Sequence, residues 1–287
     1  MLSAAHFAPR VALSWQGSGW RPDVSAAPVR RDELTVLTWN VLFDRYDSGE
    51  LHSPTRRGLL LDALQDLDDV DVIAMQEVQS TVLRPLMATA WMRAGWRVVL
   101  PGTPKDVDQF GLVLLARVPV RETGFLQYSG RKGALAMVVD GVSGPRVLVT
   151  THLTSDHTEG AGARRDQQLL QLRAALDASG GESVVLGDLN VAGPVPNLAL
   201  GLRDVGVSAP TFDPACNPLA SICSQTGEAL CIDRVLVSPH LRGTGAVRVG
   251  MDAQKVDVEG VNALHISDHF GVRVTVGPRA GVFESVR

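Results

Sequence analysis

In Val184-Val185-Leu186-Gly187-Asp188-Leu189-Asn190 a short apolar run ends in a carboxylate and an amide. Strand alternation past the turn sends Asp188 and Asn190 to one side and turns Leu189 back into the core. The same punctuation recurs in Thr35-Val36-Leu37-Thr38-Trp39-Asn40, in Val72-Ile73-Ala74-Met75-Gln76-Glu77 and in Arg146-Val147-Leu148-Val149-Thr150-Thr151-His152. A further stretch, Ile266-Ser267-Asp268-His269, opens a strand instead of closing one. Polar residues at the rims of buried strands, drawn from distant segments, are how α/β scaffolds assemble reactive sites.

Oxygen and amide donors suit a hard cation. Glu77 is the best-placed carboxylate, with Asn40 and Asp268 as supplements, and Mg²⁺ typically takes one or two carboxylates while keeping waters and substrate phosphate. An imidazole at His152 or His269 would donate to a phosphate oxygen, protonate a leaving oxygen or activate water. Asp233, a lone acid in Cys231-Ile232-Asp233-Arg234-Val235-Leu236-Val237, would orient such an imidazole; a structural ion pair with Arg234 is the alternative. Asn190 offers an amide N–H to phosphate, and Asp188 would orient the attacking water or act as base. Chemically, these parts make a metal-assisted site for in-line attack of water on a phosphoester. Ser155 and Ser267 lie outside any G-x-S-x-G elbow, and neither a P-loop nor a dinucleotide glycine fingerprint is present.

The elements that must position these groups follow from periodicity. A strand ends at Asn40 and a loop with Asp44, Arg45, Tyr46 and Asp47 follows. Ser53-Pro54 then reads as an N-cap with proline at the first helical position. Leu60, Ala63, Leu64 and Leu67 recur at helical spacing before the Glu77 strand. A second helix is expected from Thr81 to Arg93, and then strands near Arg97–Leu100, Gly111–Ala116, Val120–Leu126 and Ala134–Val139. After the strand that delivers His152, a helix over Ala161–Ala178 ends at Gly180-Gly181 and leads to the Asp188 strand. Residues 191–230 read as a long loop region, Cys231–Val237 and Phe270–Val276 as strands. Residues 1–32 allow an arm, a hairpin or a linker. Two halves, each running strand, helix, strand and further strands, predict two sheets packed face to face with helices outside.

Composition bounds the partners. With 287 residues, 45% of them hydrophobic and 20% charged, the chain can bury a sizeable core. The net charge of -4 argues against holding a polyanion by bulk electrostatics. Lys105, Lys132 and Lys255 are the only lysines among the 27 basic residues, and guanidinium forks suit phosphate. Three cysteines without C-x-x-C spacing suggest neither a disulfide framework nor a zinc site. Met1–Val11, broken by His6, Pro9 and Arg10, has no apolar signal core, and the expectation is a cytoplasmic protein without a membrane partner.

Six of these segments resemble, in order, the motifs of the endonuclease/exonuclease/phosphatase family: Thr38-Trp39-Asn40, Gln76-Glu77-Val78, Thr151-His152-Leu153, Gly187-Asp188-Leu189-Asn190, Ile232-Asp233-Arg234-Val235 and Ser267-Asp268-His269-Phe270-Gly271. The resemblance implies a four-layered α/β sandwich, with residues 34–277 as catalytic domain, 1–33 as N-terminal arm or linker and 278–287 as tail. It implies a Mg²⁺-dependent phosphoesterase in which Mn²⁺ substitutes, with Glu77, Asn40 and Asp268 at the metal. His152, Asp188 and Asn190 would handle phosphate and water, and Asp233 would orient His269; whether His269 or Asp188 is the base stays open.

The C-terminal half, with Thr154, Ser155, Arg165, Gln168 and Phe212, is similar to tyrosyl-DNA phosphodiesterases of the second type. The segment Trp39–Tyr46 is more similar to mRNA deadenylases and Angel-type RNA phosphoesterases. Leu42 and Ala192 depart from the tyrosyl-DNA pattern, which usually has an acid and a basic residue there. The expected function is hydrolysis of phosphoesters at DNA or RNA ends, by a monomer that acts alone or within a repair assembly. The alternative is an inositol phosphate phosphatase or sphingomyelinase-like enzyme on the same fold. Of the basic pairs Arg30-Arg31, Arg56-Arg57, Arg131-Lys132 and Arg164-Arg165, the expectation places Arg56, Arg57, Arg164 and Arg165 near substrate, with Phe212 as an aromatic wall. Aromatic content of 5% argues against an extended stacking platform.

Overall fold

The computed structural model describes residues 1–24, 31–42, 49–193 and 200–279. The loop with Asp44–Asp47, Arg30 of the first basic pair and most of the expected tail, 280–287, lie outside the described residues. Two sheets face each other. In spatial order the first holds β1 (Ala8–Pro9), β8 (Glu122–Gln127), β9 (Gly133–Gly141), β10 (Gly144–His152), β11 (Glu182–Asp188), β13 (Asp233–Val237) and β12 (Arg203–Asp204). The second runs β14 (Leu241–Val249), β17 (Gly271–Pro278), β4 (Leu34–Asn40), β5 (Val72–Gln76), β7 (Val113–Ala116), β6 (Arg97–Val99), β2 (Leu13–Trp15) and β3 (Trp20–Pro22). A separate hairpin pairs β15 (Gln254–Val258) with β16 (Val261–Leu264).

Each sheet has one parallel pair at its centre, β4 with β5 and β10 with β11. Parallel neighbours need a crossover, supplied by α1 (Ser53–Gln65) and α5 (Ala161–Ser179). Alternation then sorts the side chains into layers. Val36, Val72, Ala74 and Leu114 meet Leu135, Leu148, Val184 and Leu186 between the sheets. Leu37, Ile73 and Met75 pack outward on Leu60 and Leu64 of α1, and Val147, Val149 and Val185 on Leu169, Leu172 and Leu176 of α5. Each fully buried aliphatic side chain contributes about 1.5–3 kcal/mol relative to exposure. The result is the expected four-layered sandwich. Among the described residues no helix is long and apolar enough to cross a membrane.

Several elements differ from expectation. For residues 8–22, where an arm, a hairpin or a linker was open, β1 joins one sheet and the β2–β3 hairpin the other. His52, in left-handed backbone at φ 47°, is the N-cap of α1, and Ser53 is its first residue. The expected helix to Arg93 is two, α2 (Ser80–Ala88) and α3 (Ala90–Arg93), because Thr89 turns extended at ψ 149° and accepts the amide of Met92. A helix α4 (Pro104–Phe110), opened by a Thr103–Asp106 capping box, precedes β7, and α6 (Pro218–Cys223) interrupts the expected long loop. The segment from Leu241 to Leu264, unassigned from periodicity, supplies β14 and the hairpin.

Candidate active site

The C-terminal ends of the four strands of the two parallel pairs come together. Asn40 closes β4, Glu77 follows β5, His152 closes β10 and Asp188 closes β11, while Asp233 opens β13 opposite Asp188. Asp268 and His269 immediately precede β17. Carboxyl ends of parallel strands are where α/β folds present ligand-facing groups. Gly187 permits the approach of β11 to β10, since a Cβ there would stand 1.9 Å from the Thr151 carbonyl oxygen.

Asp188 is the hub. Its Oδ2 accepts from Asn40 Nδ2 at 3.1 Å and lies 3.6 Å from His152 Nε2 and 3.9 Å from His269 Nε2. Its Oδ1 accepts the backbone N–H of Asn190 at 2.9 Å. Burial and the neighbouring Asp233 push the Asp188 carboxyl up to about 7. Asp233 Oδ2 sits 2.8 Å from His269 Nδ1, a bond that fixes the ring. Burial alone would depress the His269 imidazolium, but Asp233, Asp268 and Asp188 outweigh it and hold the pKa well above 6.5. His152 moves oppositely: burial, then Lys132 and His269, push it well below 6.5. Arg234 turns to the opposite face and pairs with Asp204 at 2.9 Å, so the Asp233–Arg234 ion pair does not form.

On the other side of the hub Asn40 Nδ2 also donates to Glu77 Oε1 at 3.1 Å. Asn40 Oδ1 is taken by the backbone N–H of Leu42 at 3.1 Å. The amide therefore presents hydrogens, not its oxygen, to the carboxylates, and in this arrangement Asn40 is a bridge between Glu77 and Asp188 instead of a metal ligand. Asp268 accepts from Ser267 Oγ at 3.2 Å. Its acid is raised by burial, with His269 opposing and Glu77 reinforcing the shift. A neighbouring carboxylate that raises the buried Asp268 acid makes this a place where a hard divalent cation would be favoured. Asp188, Asp233 and His269 also have ligating atoms within 4.8 Å of one another, but the hydrogen bond at His269 Nδ1 marks Asp233 and His269 as an acid–imidazole pair. Glu77 and Asp268 are two further carboxylates that could hold a cation.

Leu42, Glu77 and Asn190 adopt positive φ of 65°, 57° and 50°. Left-handed backbone at a non-glycine residue costs on the order of 1–3 kcal/mol and clusters at functional sites.

The expected substrate groups divide. Phe212 lies 5.2 Å from the His269 ring, centroid to centroid, in tilted contact. Thr154 is engaged by Gln168, which accepts its N–H at 3.1 Å and donates to its hydroxyl at 2.9 Å. Arg165 donates to the Thr154 carbonyl and pairs with Asp156 at 2.7 Å, so both brace the loop after His152. Ser155 in that loop and Arg57 on α1 are half-buried, and Arg164 is exposed on α5. Arg56 is a correction: it is 3% exposed and donates to the carbonyls of Leu51 and Ile266 at 2.7 and 3.0 Å. It ties α1 to the segment carrying Asp268 and has no open face for substrate.

Lys132, for which the sequence gives no expected place near substrate, is close enough to act electrostatically on Glu77, Asp188 and His152. It sits on the β8–β9 turn, where its carbonyl accepts from Tyr128 N at 3.0 Å and the next carbonyl, of Gly133, from Thr151 Oγ1 at 2.9 Å. Burial lowers the Lys132 pKa while Glu77 and Asp188 oppose that shift. The Arg131-Lys132 pair was visible in the sequence, but only the register of β9 on β10 brings it beside His152. A cavity of about 530 Å³ lined by Gly144, Pro145, Gly181, Glu182 and His240 lies at the far ends of β10 and β11 and contains none of these groups. Cys216, Cys223 and Cys231 are free thiols.

The sequence matches the Endonuclease/Exonuclease/phosphatase family over residues 37–269. The chain belongs to this family. Members of the endonuclease/exonuclease/phosphatase family are metal-dependent hydrolytic phosphoesterases. Similar solved structures include D. rerio TDP2 (tyrosyl-DNA phosphodiesterase 2) complexed with single strand DNA product, 19% identical, covering 85% of this chain and 99% of that one at TM-score 0.65. Sphingomyelinase C from Streptomyces griseocarneus is 21% identical, with 86% and 99% covered and TM-score 0.66. A mutant beta toxin from Staphylococcus aureus with bound magnesium ions is 15% identical, with 84% and 99% covered and TM-score 0.61. At these identities the likeness is one of fold. Among curated proteins no match is found.

Proposed function

We propose that this protein is a divalent-cation-dependent phosphodiesterase that hydrolyses phosphoester bonds at nucleic-acid ends. The carrying observation is the convergence on Asp188 of His152, Asn40 and the Asp233-bonded His269, beside Glu77 and Lys132. A cation held by Glu77 and Asp268 would supply Lewis-acid charge stabilisation at a phosphate oxygen. Asp188 orients the attacking water and takes its proton at Oδ2, an acid whose pKa of about 7 suits a base at neutral pH. The His269 imidazolium, kept in place by Asp233, and the Lys132 ammonium face the charge that builds on phosphate. Asn190 adds an amide N–H, although in this structure its Nδ2 donates to the Leu153 carbonyl at 3.2 Å. His152, neutral and buried, donates a hydrogen bond without adding charge.

Nucleic acid as substrate is supported by the likeness to a TDP2 structure holding a single strand DNA product and by the Phe212 ring beside His269. A sphingomyelinase-like reading is kept because Sphingomyelinase C superposes equally well, at TM-score 0.66. The test is Mg²⁺- and Mn²⁺-dependent hydrolysis of DNA and RNA oligonucleotides with 5′-tyrosyl, 3′-phosphate, 2′,3′-cyclic phosphate and 3′-hydroxyl ends, beside inositol phosphates and a choline phosphodiester. Turnover confined to one oligonucleotide end supports the proposal and names the linkage. Hydrolysis of only the choline or inositol substrates overturns it in favour of the small-molecule reading.

A further inference from the structure

The inward-facing positions of the four strands that end at the site pass from apolar to polar toward the site. They read Val36, Thr38, Asn40 along β4; Val72, Ala74, Gln76 along β5; Leu148, Thr150, His152 along β10; and Val184, Leu186, Asp188 along β11. Val36, Val72, Ala74, Leu148, Val184 and Leu186 belong to the apolar core between the sheets. Beside the last of them, Ala74 and Leu186, and on the side of the site lies a polar rung of Thr38, Gln76 and Thr150, with Thr38 level with Ala74 and Thr150 with Leu186. Gln76 Nε2 reaches across the gap between the sheets to Thr150 Oγ1 at 2.9 Å, and donates within its own sheet to Thr38 Oγ1 at 3.0 Å, with the Ala74 carbonyl at 3.2 Å. Thr38, Gln76 and Thr150 are all 0% exposed.

An apolar side chain would fill this space without the penalty that a buried amide incurs when it loses its partners. What the amide adds is directional: its bonds are satisfied at one separation and one register of the sheets. The catalytic groups are themselves divided between the sheets, Asn40 and Glu77 on one and His152 and Asp188 on the other. The Asn40 amide bridges Glu77 and Asp188 at 3.1 Å on each side, a span that holds only if the sheets keep their spacing. Glu77 follows Gln76 directly in left-handed backbone at φ 57°, so the backbone that carries the carboxylate adjoins the anchored amide.

We infer that Gln76 is a positioning residue that, through its bond to Thr150, sets the spacing of the two halves of the site. This rests on the phosphodiesterase reading above and assigns the rung no contact with substrate. The pair touches no cation donor and supports Glu77 indirectly, by keeping the sheet spacing that the Asn40 bridge spans; it lies one step further out than the direct contacts to metal ligands whose loss lowers metal affinity and turnover together.

Thr150→Val keeps the branched shape and removes the acceptor, whereas Thr150→Ser keeps the hydroxyl. Calorimetric titration of each full-length protein with Mn²⁺ alone, followed by kcat and KM on the best phosphodiester, reads the effect. Thr150→Val is expected to bind Mn²⁺ roughly tenfold more weakly and to lose a comparable factor in kcat with little change in KM, and Thr150→Ser to restore both. A Thr150→Val protein with wild-type Mn²⁺ affinity and kcat, and only a lower melting temperature, would make the rung a packing feature and overturn the inference. The Mn²⁺ titration needs no substrate, so a protein inactive on every phosphoester would count against the proposed function while the metal titration still decides this one.

Discussion

His269 and Asp233 share a 2.8 Å bond in a buried setting, and a charge-assisted bond of that kind is worth about 1.5–3 kcal/mol. They are expected to act as a unit: His269→Ala and Asp233→Asn should each lower kcat, and the double variant should be no worse than the poorer single one. Additive losses in a double-mutant cycle would separate their roles. The two buried histidines also give the metal-free protein opposite pH limbs. His269 has a folded pKa above its unfolded value near 6.5, so its stabilisation is complete below that pH and is lost as pH rises through the folded value. His152 has a folded pKa well below 6.5, so the unfolded chain takes up the proton first and stability falls as pH drops through that window. Thermal unfolding in chelator should show His269→Gln flattening the alkaline limb and His152→Gln the acid limb. Arg56 offers a third check. Arg56→Met should lower unfolding free energy by about 1–3 kcal/mol in urea titrations, since buried carbonyls lose their donor, and leave KM for an oligonucleotide unchanged; raised KM at full stability would return it to the groove.

At the scale of elements, the site depends on strands ending level with one another. Thr151 pairs with Gly187, and His152 with Asp188, in the parallel register of β10 on β11. Gly187→Ala places a Cβ against the Thr151 carbonyl, a backbone atom that cannot move aside cheaply. Overpacking typically costs about 1–3 kcal/mol, and here the strain falls on the strand ends that carry the chemistry. The variant is therefore expected to lose activity beyond its loss of stability, measured as kcat well below the melting temperature. Retained kcat with normal stability would show that β10 and β11 can part locally without disturbing His152 and Asp188. The α1 and α5 crossovers were legible because leucines recur at helical spacing. The α2–α3 break was not, because Thr89 ends one helix and caps the next, and no periodicity marks that.

Across the whole molecule, both sheets are completed by the first residues of the chain. β1 covers the edge of β8, and the β2–β3 hairpin covers β6. Phe7 is 1% exposed against the outer face of the first sheet. Deleting residues 1–22 would uncover two sheet edges, and exposed edges pair with other chains; light scattering should show aggregation of the truncated protein, and a monodisperse, active truncation would mean these strands are dispensable. The sequence by itself determined the layered class and marked most of the residues that the fold brings together, because a two-residue alternation and a polar residue at a strand end are local patterns. Asn40, Glu77, His152, Asp188, Asp233, Asp268 and His269 were all legible in this way. The tertiary structure alone decided which basic pair faces the chemistry, that Arg56 is buried, that Asn40 turns its amide hydrogens inward, and that Gln76 bridges the sheets. Each of these depends on the register and spacing of strands far apart in the chain, and strand-end patterns carry no information about either.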